Sequence, residues 1–262
     1  MYRAFKLEDI KFKQDFSEHA EEMNRAYGEM VRKSLKAFVD AGKIDGTKMG
    51  DNWFPQIDAE IFISHAHQDE ALALNLAGWL HSTFKIRSFI DSCVWGHSNK
   101  ILRQIAVDHC RTDDKRHFDY DLRNGSTSHI HMMLATALGK MINSVEAVIF
   151  VSTPNSVSTK ESIQRVSSPW LLYELSLMQL IQKRPLNDYR KMKKSADIHE
   201  LEEGVENFSR TIPIDYDADF SSLTSLDADT LNSWELTNSK RPAWAERPLD
   251  ILYSLAPEPG WK

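Results

Sequence analysis

The eight residues Val145 to Ser152 read VEAVIFVS, and no other run constrains the fold as strongly. The run is far shorter than the roughly 20 apolar residues of a membrane-spanning helix, and too continuously apolar for a strand with one face in water. It has the character of a strand buried on both faces, as in a parallel sheet covered by helices. Glu60-Ile61-Phe62-Ile63-Ser64 is a second such run, and Ile86 to Asp91 a third. Helical patterns lie between them. Asp69 to Thr83 places Leu72, Leu76, Trp79 and Leu80 on one face. Thr127 to Asn143 turns Ile130, Met133, Leu134, Ala137, Leu138 and Met141 inward. Ser168-Pro169 opens a helix that runs to about Arg184, with the serine as cap and the proline at the first helical position. Lys100 to His109 reads as a helix, Arg111 to Gly125 as an inserted loop, and Thr211 to Tyr216 as a further strand that Pro213 pushes to an edge. Helical patterns around Leu223 to Leu236 and Pro248 to Leu255 close the chain. Strand alternating with helix predicts an α/β fold, a mainly parallel sheet with helices on both faces.

The first 57 residues read differently. Phe16, Ala20, Met23, Tyr27, Met30, Ser34 and Ala37 recur at gaps of four and three, a helical stripe that Ala41-Gly42 ends. The expected organisation is a helical N-terminal extension over 1–57, an α/β domain over 58–220, and a C-terminal helical segment over 221–262 packed on that domain. The 32 basic against 38 acidic residues give a net charge of −6, which disfavours nucleic acid and anionic membrane as broad partners. The charged opening MYRAFKLEDIKFKQDF does not resemble a signal peptide, and Cys93 and Cys110 are too few for a disulfide framework or a four-cysteine zinc site. A cytoplasmic protein is expected.

In open parallel sheets ligands bind beyond the carboxyl ends of the strands. That rule selects three loops: Ser64 to Gln68, Asp91 to Ser98, and Ser152 to Ser168. The first, Ser64-His65-Ala66-His67-Gln68-Asp69, offers two imidazoles and a carboxylate, so His65, His67 and Asp69 form one candidate metal set, as in a metal-dependent hydrolase. In the competing reading Asp69 caps the following helix and a histidine merely packs. The second carries Asp91, suited to ribose hydroxyls, and the loop aromatic Trp95. Beyond the third, Trp170 and Glu174 are four apart near the start of a helix, on one face and one turn apart. An aromatic surface beside a carboxylate suits cleavage of a ribosyl bond: the ring stacks a planar base and the carboxylate stabilises positive charge on the sugar. Ten glycines form no G-x-G-x-x-G or G-x-x-x-x-G-K pattern, which disfavours a kinase, an NTPase or an ordinary dinucleotide oxidoreductase.

Asp58 to Asp69 (DAEIFISHAHQD) resembles the opening box of Toll/interleukin-1 receptor (TIR) domains. Ser88-Phe89-Ile90-Asp91, with the loop reaching Gly96, resembles their second strand and its long loop. Val148 to Ser152 and Ser168 to Leu175 (SPWLLYEL) resemble the later strand and the S-x-W-x-x-x-E-L helix. The resemblance spans roughly residues 58 to 216. It implies a flavodoxin-like fold and, as in bacterial and plant members that keep the glutamate, cleavage of the nicotinamide–ribose bond of NAD⁺, a substrate and not a cofactor. It places the catalytic glutamate at Glu174 and substrate-binding positions at Ser64, His65, Asp91, Trp95 and Trp170, with no metal. It also implies self-association through the domain. The helical N-terminus, the expanded 111–125 region and the longer segment before the last strand resemble stand-alone bacterial TIR proteins of anti-phage systems, whose nucleotide product acts on a separate effector. The alternative within the same family is a non-enzymatic assembly module.

Overall fold

The computed structural model describes residues 1–12, 14–18, 20, 59–90, 102–103, 106–107, 109–112, 114, 117–160, 163–190, 215–242 and 247–258. Five strands form one sheet, every adjacent pair parallel: β1 (Arg3–Glu8), β2 (Ile61–Ser64), β3 (Ser88–Ile90), β4 (Ala147–Ser152) and β8 (Thr224–Leu226). Their order is β3-β2-β4-β1-β8. Three further strands, β5 (Ser158–Lys160), β6 (Ile163–Val166) and β7 (Tyr216–Asp217), make a separate antiparallel arm. The helices are α1 (Glu70–Phe84), α2 (Tyr120–Ser144), α3 (Pro169–Leu180), the single turn α4 (Leu186–Tyr189), α5 (Ala228–Lys240) and α6 (Pro248–Leu255).

Alternating side chains of the buried strands feed two cores. Phe62, Val148 and Phe150 face Ile130, Leu134 and Leu138 of α2 and Leu171 and Leu175 of α3. Ile61, Ile63, Ile149 and Val151 face Leu76 and Leu80 of α1, Leu231 and Trp234 of α5 and Leu252 of α6. On that second face the Phe84 and Trp234 rings stack at 3.9 Å, and Trp79 packs edge-on to both. The result is an α/β fold whose parallel sheet carries helices on both faces, compatible with a flavodoxin-like architecture. Flavodoxin-like sheets run 2-1-3-4-5. Here the first three positions follow that order in β3, β2 and β4, and the fourth is filled by the strand from the start of the chain.

That strand corrects the expectation of a wholly helical 1–57 region. Arg3–Glu8 lies between β4 and β8, with Phe5 and Leu7 fully buried. Arg3 and Lys6 are tolerated in a central strand because each buried charge meets a carboxylate. The Arg3 guanidinium reaches Thr224 Oγ1, the Ala256 carbonyl and Glu258, and the Lys6 ammonium reaches Glu8 at 2.8 Å. The expected helical stripe from Phe16 falls mostly outside the described residues. Its start packs on α1, where the Phe16 carbonyl occupies the space a side chain at Gly78 would need.

Other boundaries also move. Asp119 caps α2 by accepting from the Leu122 amide at 2.9 Å, so the helix begins at Tyr120 and takes in the end of the expected 111–125 loop. The expected 152–168 loop contains β5 and β6. The strand expected at Thr211–Tyr216 is described only at Tyr216–Asp217, where it pairs with β6 and not with the main sheet. The segment expected to be helical from Leu223 contributes β8 to the sheet before α5 begins, so the boundary expected at 220/221 does not separate a helical appendage.

Candidate active site

β2 ends at Ser64 and β4, its neighbour, at Ser152; Ser64 lies opposite Phe150. From β2 the chain crosses one way to β3 and the other way to β4. The carboxyl ends of β2 and β4 therefore flank the switch point of the sheet, where such folds open a crevice. α3 lies over this end. Ser168 Oγ accepts from the Leu171 amide at 3.4 Å and Pro169 occupies the first turn, which starts the helix where the sequence places it. Buried Leu171, Leu175 and Met178 set its rotation and turn Glu174 toward the sheet.

Glu174 and Ser64 are both fully buried, and the Ser64 hydroxyl donates to Glu174 Oε2 across 110 residues of sequence. This contact fixes one oxygen of Glu174 against the end of β2. His65, the next residue, is also buried. Trp170, one turn before Glu174, is half-buried and meets the His131 imidazole edge-on, ring centres 5.8 Å apart. Burial pushes the His131 imidazole below its ordinary value. The Tyr173 hydroxyl donates to the Ala135 carbonyl at 2.9 Å and fastens α3 to α2, and burial pushes that phenol up.

Four of the six expected site residues are thus described, and two of them, Ser64 and Glu174, touch. Asp91 and Trp95 lie outside the described residues. The donors of the metal reading diverge: His65 is buried, His67 is exposed, and the Asp69 carboxylate is engaged elsewhere. Among the described residues no three histidine, cysteine or acidic side chains converge as a metal would need. The capping role expected of Asp69 is corrected too. Asp69 occupies the cap position of α1, but its side chain makes no capping bond. It accepts instead from Thr153 Oγ1 at 2.5 Å and from Asn155 Nδ2 at 2.7 Å, in the turn after β4. Sequence reasoning passed over Thr153 and Asn155. The Thr-Pro-Asn run after an apolar strand signalled a turn, but not the side chain it would meet. Comparison of the chain with family models, with curated proteins and with solved structures finds no match.

Proposed function

We propose that the chain is an NAD⁺-cleaving enzyme of the TIR type with Glu174 as its catalytic carboxylate. The observation that carries this reading is the buried Ser64–Glu174 contact. It joins the end of the TIR-like opening strand to the glutamate of the W-x-x-x-E helix, at the end of the sheet where ligands bind. In the proposed reaction the C–N bond between nicotinamide and ribose breaks, and its electron pair returns to the pyridinium nitrogen, so nicotinamide leaves neutral. Glu174 holds the ribose hydroxyls and stabilises the positive charge that develops on the sugar, and Trp170 supplies a face for the planar base. Water, an adenine nitrogen of the same molecule or another acceptor then attacks the anomeric carbon. The products are ADP-ribose and a proton, a cyclic isomer, or a conjugate, and we propose that this product signals to a separate effector in anti-phage defence.

Full burial of Glu174 in the single chain favours a second reading, an assembly module in which the contact with Ser64 is purely structural. Mass spectrometry of NAD⁺ incubated with concentrated protein separates the two. The enzyme releases nicotinamide, Glu174→Gln lowers that release about 100-fold or more, and the mass of the second product identifies the acceptor. Release that Glu174→Gln leaves intact removes the catalytic assignment.

A further inference from the structure

Asp69 is buried, and its carboxylate bridges the segment after β2 and the turn after β4, at the carboxyl end of the sheet. Asp69 stands five residues after Ser64, at the head of α1. Its partners stand in the turn that follows β4, three and five residues after Phe150, the residue opposite Ser64. The tie therefore joins the segment that follows β2 to the turn that follows β4. The turn is stiffened from within. Thr153 Oγ1 also accepts from the Asn155 amide at 3.0 Å. Ser156 Oγ accepts from the Thr153 amide at 2.9 Å and donates to the Val151 carbonyl at 3.0 Å. From this turn the chain runs through the β5–β6 arm, ends it at buried Val166, and enters α3 at Ser168. β5 and β6 pair with each other between this turn and α3, Ser158 opposite Arg165.

We infer that Asp69 is a positioning residue: by fixing the turn after β4 to the head of α1, it sets where α3 begins and so holds Glu174 against Ser64. The inference rests on the catalytic reading of Glu174 for its consequence in activity, but not for its structural content. Two neutral donors on a buried carboxylate form charge-assisted bonds in a region of low dielectric, and losing their acceptor leaves both donors unmet. A misplacement of about 1 Å at a reacting group can lower a rate about 100-fold.

The test uses the whole chain and two readouts. Hydrogen exchange followed by mass spectrometry covers the 150–157 and 168–176 segments. Asp69→Ala raises exchange about 10-fold in both segments. Asp69→Asn keeps the acceptor for Thr153 and, once the Asn155 amide turns over, the second bond, so it stays near the parent. Thr153→Val, which at nearly constant volume removes one donor to Asp69 and the acceptor of the Asn155 amide, falls between them at 168–176 and carries the test there if Asp69→Ala does not fold. Parent-like exchange at 168–176 in both Asp69→Ala and Thr153→Val overturns the inference. In nicotinamide release Asp69→Ala lowers kcat about 10- to 100-fold with little change in KM, and Asp69→Asn restores it. An Asp69→Asn chain with parent-like exchange but the full kcat loss also overturns it, since charge and not position would then be at work. If the parent itself releases no nicotinamide, the catalytic reading falls while the exchange at 168–176 still decides the role of Asp69.

Discussion

The sheet carries a buried glutamate at each end, and the two are held in opposite ways. Glu146 precedes β4 at the amino end. Its carboxylate takes Arg190 Nη2 at 2.7 Å, Arg190 Nε at 3.0 Å and the Tyr253 hydroxyl at 3.0 Å. Arg190 also reaches Asp250 at 2.6 Å, and the pairing pushes its guanidinium up. Phe150 stands four residues further along β4, about 13 Å away, and opposite it lies Ser64, whose hydroxyl Glu174 receives. A charge matched by a bidentate guanidinium joins elements: here α6, the segment after α4, and the start of β4. Glu174 meets a neutral hydroxyl at Ser64, where Glu146 meets a guanidinium. Glu146 thus joins elements at the amino end of the sheet, and Glu174, on α3, is the proposed catalytic group at the other end.

This contrast can be broken by measurement. Glu146→Gln leaves Arg190 with only part of its partners and costs about 3 kcal/mol in denaturant unfolding. Tyr253→Phe removes one bond to the same carboxylate while its ring keeps its place beside Tyr2 and Phe5, and costs about 1.5 kcal/mol. Glu174→Gln, proposed to lower nicotinamide release about 100-fold or more, changes unfolding free energy by less than about 1 kcal/mol, because the amide oxygen still offers Ser64 an acceptor. A loss as large as that of Glu146→Gln would make the two glutamates equivalent and favour the assembly-module reading. The smallest effect concerns His131. Its folded-state value lies below the ordinary 6.5, so between the two the unfolded chain binds more protons. Its contribution is constant above pH 6.5 and stability falls as pH drops below it. His131→Gln flattens that part of a stability–pH curve and leaves the alkaline side unchanged.

What the residues announced in advance were the elements with strong local signals. The apolar runs of β2 and β4, the Leu72–Leu76–Leu80 face of α1 and the Ser168-Pro169 start of α3 each carry their own pattern, and each appears within a few residues of its expected place. β1 was hidden by Arg3 and Lys6, whose charges belong to a surface strand until their partners at Glu258 and Glu8 are known. β8 has three residues, and the β5–β6 arm is polar, so neither had a period to read. Ser64 and Glu174 were legible through motif residues. The Asp69–Thr153–Asn155 tie was not, because it joins side chains more than 80 residues apart.

The placement of β1 has a consequence for synthesis. Its hydrogen-bonding neighbours on either side, β4 and β8, are translated last among the strands of the main sheet, β8 ending at Leu226. At 5–20 residues per second the first strand waits about 10–40 s after leaving the ribosome before both edges exist. Through that interval the apolar side chains of Phe5 and Leu7, buried in the folded sheet, lack part of their final cover.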